Sequence, residues 1–225
     1  MWSIVVAGGS GRRFGEQKQF VSLAGRPVLA WAVDACRTVS DGVVLVVPAD
    51  AQPTDSSGAD AVVTGGGTRA DSVRCGLEAV PAEADVIVVH DAARPLAAPA
   101  LFASVLEALH EEGVTGAVPG LAPSDTIKVV DRSMNVTNTL DRTSLVAVQT
   151  PQAFAAEALR HAHAHAHAHA GAESSADAIA TDDAMLVEAA GGRVRVVLGH
   201  PGNIKITTPD DLTTAERLLA AAQEG

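Results

Sequence analysis

Ser3-Ile4-Val5-Val6-Ala7-Gly8-Gly9-Ser10-Gly11-Arg12-Arg13 decides the fold. Ser3–Ala7 is short and apolar, as in a strand buried on both faces of a sheet. It runs straight into three glycines within four positions, with Arg12, Arg13 and Lys18 close behind. Glycines let backbone N–H groups converge on an oxyanion without Cβ obstruction, and the cations add charge. The two common phosphate motifs do not fit. GxGxxG from Gly9 needs glycine at 14, which is Phe14, and GxxxxGK[ST] fails from every glycine of the loop. A flexible turn with surface arginines is the competing reading.

Working outward, short β-branched runs alternate with Ala/Leu-rich stretches. Strands are expected at Ser3–Ala7, Val43–Val47, Ala61–Thr64, Val86–Val89, Thr115–Val118 and Val194–Leu198. Helices are expected at about 27–39, 68–80, 98–112, 152–168, 177–190 and 209–222. The last has a clear start, with Thr208 to cap, Pro209 at the first helical position, and Asp210 and Asp211 at the positive end. The βαβα order predicts one α/β domain over 1–225 with a doubly wound, mostly parallel, Rossmann-like sheet. Asp125–Asp131 and Asn135–Leu140 break the alternation. They read as a polar hairpin turning at Arg132-Ser133-Met134, an edge elaboration or a projecting arm over about 123–142.

At 225 residues the chain suits a single α/β domain, and 47% hydrophobic residues suffice for a large core. With 3% aromatics and no Tyr, that core must be Ala, Val and Leu. A net charge of −11 without a basic stripe argues against nucleic acid but leaves local anion sites open. Cys36 and Cys75 fall in expected helices without CxxC partners, so both read as core residues. No apolar run is long enough to span a membrane, and the first apolar run is too brief for a signal peptide, which predicts a soluble cytoplasmic protein.

Two further segments carry chemistry. Gly65-Gly66-Gly67-Thr68-Arg69-Ala70-Asp71-Ser72 follows a strand and opens a helix, a candidate anion or base site. A capped helix with a surface Arg–Asp pair is the plainer alternative. Val88-Val89-His90-Asp91-Ala92-Ala93-Arg94-Pro95 ends a buried strand, where open α/β sheets place ligands. Asp91 can accept hydroxyls and Arg94 can grip a phosphate, whereas His90 reads as a satisfied, half-buried histidine. His161–His169 alternates strictly with alanine. On a helix, His161, His165 and His169 share one face with incidental nickel or zinc affinity. The tract is read as a solvated helix end outside the site.

The first loop resembles the Ala-Gly-Gly-x-Gly-x-Arg…Lys signature of nucleotidyltransferases that make sugar and polyol nucleotides. The second resembles the Gly-Gly-x-x-Arg-x-x-Ser of their cytidylyltransferase branch. His90–Pro95 matches the HDAARP of the 2-C-methyl-D-erythritol 4-phosphate cytidylyltransferase family, which serves non-mevalonate isoprenoid synthesis. Asp125-Thr126-Ile127-Lys128, Asp141-Arg142, Thr150-Pro151-Gln152-Ala153-Phe154, Thr181-Asp182-Asp183-Ala184 and Asn203-Ile204-Lys205-Ile206-Thr207 follow in that family's order. The likeness runs from residue 2 to about 220. It departs in a shorter loop before Lys18, where Gln17 replaces the usual proline.

The resemblance implies that CMP passes from CTP to 2-C-methyl-D-erythritol 4-phosphate with release of pyrophosphate. It makes Arg13 and Lys18 catalytic cations at the α-phosphorus. Ala7, Gly8, Gly9 and Gly11 hold the nucleotide, and Gly66, Arg69 and Ser72 read its base. Asp91 and Arg94 join the substrate site. Thr126, Arg142, Thr150 and Lys205 contact the polyol phosphate, Arg142 and Lys205 as part of the catalytic set. It further implies Mg²⁺ held mainly by the triphosphate, touched by Asp91 or Asp71 if by any protein group. It implies a homodimer in which Thr126 and Arg142 serve the partner's site, and a chain without the fused cyclase domain of some relatives. Ribitol-5-phosphate cytidylyltransferase is the alternative activity, and a non-catalytic nucleotide-binding protein the alternative class.

Overall fold

The computed structural model describes residues 1–8, 17–51, 58–169 and 181–223. Strand β1 (Trp2–Val6) lies at the centre of the main sheet. Strand β4 (Gly42–Val47) runs parallel to it on one side and β6 (Val86–Asp91) parallel on the other. Beyond β4 comes β5 (Ala61–Thr64). Beyond β6 come β11 (Gln152–Ala155), β7 (Gly116–Leu121) and finally β12 (Val194–Leu198). The short β10 (Ala147–Val148) shares with β11 the edge of β7 that β12 leaves open. From β1 the chain builds outward through β4 and β5, then crosses back to β6. The crevice between β1 and β6 is therefore the switch point, where α/β sheets bind ligands.

Six α-helices are described: α1 (Val28–Arg37), α2 (Arg69–Ala79), α3 (Pro99–Ala108), α4 (Ala156–His169), α5 (Asp183–Ala189) and α6 (Pro209–Gln223). They cover both sheet faces because successive strand residues point to opposite sides. Ile4, Val44, Val46, Ile87 and Val89 meet Val73 and Leu77 of α2, Leu159 of α4 and Val187 of α5. Val5, Val43, Leu45 and Val88 meet Leu29 and Val33 of α1 and Phe102 and Val105 of α3. Each such side chain contributes about 1.5–3 kcal/mol by leaving water. A smaller cluster of Leu23, Val28, Ile206 and Ala215 pins α6 against the hairpin of β2 (Ser22–Leu23) and β3 (Arg26–Pro27). That cluster fixes the loop carrying Lys205.

The expected α/β class and strand positions are found, and α6 starts as its cap residues predict. Asp211 Oδ2 accepts the backbone N–H groups of Thr207 and Thr208, each at 2.8 Å. One element differs. Residues 152–168 were expected to be helical throughout, but Gln152–Ala155 is a strand, antiparallel between β6 and β7. Its Ala and Phe carry no decisive β preference. The unpaired edges of two buried strands impose the conformation, since their backbone groups must find partners. Residues 177–180 of the expected fifth helix lie outside the described residues.

The polar hairpin is present but shorter than expected, as β8 (Lys128–Val130) and β9 (Val136–Thr139), with a bulge at Val129/Val130. Every residue of both strands is exposed. Cys36 is buried in α1, where burial pushes its thiol up to about 12. Among the described residues no helix is long and apolar enough to cross a membrane.

Candidate active site

A cleft of about 320 Å³ opens at the C-terminal ends of β1 and β6. Three segments of sequence meet there. The first is the end of β1, where Ala7 donates its N–H to Val46 O at 2.8 Å and Gly8 enters the wall. Gly9, Gly11 and Arg13 lie outside the described residues, and Lys18 is placed only by its backbone, in a short 3₁₀ turn over Lys18–Phe20.

The second is the turn before α2. Thr68 and Asp71 form a capping box, the Thr68 hydroxyl accepting Asp71 N–H at 3.0 Å and Asp71 Oδ2 accepting Thr68 N–H at 3.1 Å. The other Asp71 oxygen receives Arg74 at 2.9 Å. Asp71 is thus engaged by its own helix cap and by Arg74, and it is not part of the cleft wall. A Cβ on Gly66 would stand 2.3 Å from Asp71 Cβ, so this turn admits only glycine. Ser72 is buried and donates to Thr68 O at 2.9 Å. Its proton is occupied by the helix, so its remaining lone pairs present an acceptor to the cleft.

The third is the end of β6. Asp91 Oδ2 accepts Lys205 Nζ at 2.7 Å, and Oδ1 accepts Nε and Nη2 of Arg69 at 3.4 Å. Arg69 also donates through Nη1 to Asp183 Oδ2 at 2.7 Å. Burial opposes charge on both carboxyls, but Arg69, with Lys205 at Asp91 and His163 at Asp183, holds them below the usual range. Arg69, Asp91 and Lys205 separate the cleft from a second cavity of about 360 Å³, also lined by Arg94, Thr150 and Asp182.

Behind Asp91, His90 is fully buried rather than half-buried. Its Nε2 faces the carbonyl of Arg94 at 3.1 Å and so carries the proton. Its Nδ1 then accepts from the Thr150 hydroxyl at 3.0 Å, which in turn accepts Asp91 N–H at 3.0 Å. Arg94 donates through Nη1 to Asn203 O at 2.7 Å, while its Nε is buried without a partner among the described residues. Thr126 and Arg142 line neither cavity. Both are exposed, and Arg142 Nη1 donates to Ser124 O at 2.6 Å.

The His-Ala tract needs correction. His163 is 4% exposed, and its Nε2 lies 2.9 Å from Asp183 Oδ1, directly behind Arg69. Sequence reading set the whole tract outside the site because the alternation hides the helical phase. Counting from Leu159 would have found it: Leu159, Ala162, His163 and Ala166 are buried along one face. His161 and His165 do share the outward face as expected, with ring centroids 6.2 Å apart.

A glycine-walled cleft at a switch point, with fixed cations between two adjoining cavities, defines a nucleotidyltransferase of the α/β class. The model of the family 2-C-methyl-D-erythritol 4-phosphate cytidylyltransferase matches residues 1–221, and the chain belongs to that family. It is 46% identical to the 2-C-methyl-D-erythritol 4-phosphate cytidylyltransferase of Rhodococcus jostii (strain RHA1), over 96% of this chain and 94% of that one. It is 42% identical to the enzyme of the same name from Synechococcus sp. (strain WH7803), over 98% and 99%. The crystal structure of the Thermus thermophilus 2-C-methyl-D-erythritol 4-phosphate cytidylyltransferase superposes with a TM-score of 0.80, 35% identity, and coverage of 96% and 98%.

Proposed function

We propose that the cleft and its neighbouring cavity carry out the family's reaction, CTP plus 2-C-methyl-D-erythritol 4-phosphate giving 4-diphosphocytidyl-2-C-methyl-D-erythritol and pyrophosphate. The enzyme is a cytidylyltransferase. The observation that carries the residue assignment is the Arg69–Asp91–Lys205 wall between two cavities. The nucleotide takes the cavity walled by Gly8, Gly66, Gly67 and Ser72, and the polyol phosphate takes the one walled by Arg94 and Thr150. An oxygen of the acceptor phosphate attacks the α-phosphorus, a new P–O bond forms, and the bond to the β-phosphate oxygen breaks. The nucleophile is already anionic, so no general base is required. Lys205 stands where the new bond forms, and Arg13 and Lys18 supply charge from the first loop. Removing one such fixed donor costs about 10²–10³ in rate.

Bound Mg²⁺ would supply further charge neutralisation to the triphosphate. Asp91 is the one described carboxylate lining the nucleotide cavity, and both its oxygens already receive cationic donors. The donor set therefore fits an ion held chiefly by phosphate oxygens, with at most one contact from Asp91. The span 1–225 works as one domain, in the cytoplasm, as a homodimer. Val129, Val130, Met134 and Val136 on the arm and Leu198 on β12 are exposed apolar side chains, which supports a partner there.

Ser72 offers an acceptor, which matches the exocyclic amine of cytosine and opposes the carbonyl of uracil. Pyrophosphate release should therefore be far faster with CTP than UTP, and Ser72→Ala should narrow that preference about tenfold, one hydrogen bond's worth. Equal use of UTP by the wild type would remove the cytosine assignment. Faster turnover of ribitol 5-phosphate than of the erythritol phosphate would overturn the acceptor.

A further inference from the structure

We infer that His163 is a positioning residue for cytidylyl transfer, acting through a buried relay from His163 to Asp183 to Arg69 to Asp91 to Lys205. The inference rests on the cleft being the transfer site. The contacts are continuous. His163 Nε2 lies 2.9 Å from Asp183 Oδ1, Asp183 Oδ2 accepts Arg69 Nη1 at 2.7 Å, Asp91 Oδ1 accepts Arg69, and Asp91 Oδ2 accepts Lys205 at 2.7 Å. An ionised carboxylate only accepts, so the nitrogen facing Asp183 carries the proton and His163 donates.

Burial gives this contact its consequence. Asp183 is 1% exposed and His163 4%. Asp183 begins α5, and His163 reaches it from the face of α4 that also buries Leu159, Ala162 and Ala166. A carboxylate so enclosed cannot turn to water if one oxygen loses its donor. It would rotate toward its remaining partner, Arg69. Arg69 spans from Asp183 to Asp91, so any shift at one end is felt at the other. Lys205 then loses its fixed place beside the reacting phosphates, and misplacement of about 1 Å can cost about 10² in rate. Among the described side chains of the tract, His161, His165 and His167 are exposed and so lack this role.

His163→Leu keeps the bulk and removes the donor, whereas His163→Gln restores a donor near the Nε2 position. His161→Ala is the control on the same tract. The expected result is a kcat about tenfold lower for His163→Leu, with the KM for CTP moved less than about threefold, most activity regained by His163→Gln, and no change in the control. Wild-type kcat in folded His163→Leu, or equal impairment of Leu and Gln variants, would overturn the relay. If His163→Leu does not fold, His163→Ala replaces it in the same comparison. A second readout needs no turnover. The Arg69 Nε–Hε NMR resonance, assigned by its loss in Arg69→Lys, should shift in His163→Leu and return in His163→Gln. A resonance unmoved in His163→Leu refutes the relay. Failure of the wild type to release pyrophosphate would instead refute the activity, leaving the resonance to judge the relay.

Discussion

His90 shows how one side chain near the site ties stability to pH. Burial pushes its pKa from 6.5 down to about 4, with the neighbouring Asp91 opposing the shift. The imidazole is therefore neutral at pH 7, in the tautomer that links Arg94 O to Thr150. The folded form resists a proton that the unfolded chain takes up below pH 6.5. Stability attributable to His90 is thus complete above 6.5, falls as pH drops toward about 4, and levels off below that. Its full span is on the order of 3 kcal/mol. Urea unfolding from pH 7 to 5 should show the wild type losing about 2 kcal/mol more than His90→Gln, which cannot titrate. Parallel pH slopes in the two proteins would show that His90 is not the group responsible.

Helix α2 carries Arg69 and Ser72 at its start, so its seat on the sheet sets the cleft. Gly76 makes that seat possible. A Cβ there would fall 2.7 Å from Ile4 Cγ2 and 3.1 Å from Val46 Cγ2. On an exposed helix, Gly→Ala stabilises by about 1 kcal/mol. Here overpacking, typically about 1–3 kcal/mol, should outweigh it. Gly76→Ala is expected to lower Tm and, by lifting the first turn of α2, to raise the KM for CTP. A higher Tm would mean that β1 gives way easily and that the helix seat is not tight.

Assembly is where the exposed arm gains a purpose. Thr126 and Arg142 line neither cavity of their own chain, while the arm strands stand fully exposed. In the proposed symmetric dimer they complete the partner's acceptor site. An inactive Lys18→Ala protein mixed with an inactive Arg142→Ala protein should regain activity once subunits exchange. Each mixed dimer then holds one site with both lesions and one with neither. A mixture that stays inactive after demonstrated exchange, or a monomer by sedimentation at assay concentration, would reject this arrangement.

Much of this protein could be read without coordinates because the signals are local. Apolar runs such as Val43–Val47 place strands, the Thr68–Asp71 and Thr208–Asp211 caps place helix starts, and Gly8, Gly66 and Gly67 mark turns that wall the cleft. The ordered motifs likewise named Gly8, Gly66, Arg69, Ser72, Asp91, Arg94, Thr150 and Lys205, and the fold brings these around two adjoining cavities. Tertiary structure alone decided the rest. Gln152–Ala155 is a strand because two distant strands leave edges to fill, a demand no window of neighbouring residues contains. Asp71 turned out to be held by its own helix cap. His163 stands apart from His161, His165 and His167 because α5 delivers Asp183 to it, twenty residues along the chain. Burial and the pairing of buried charges belong to the packed molecule, since only packing removes the water that would otherwise satisfy each group alone.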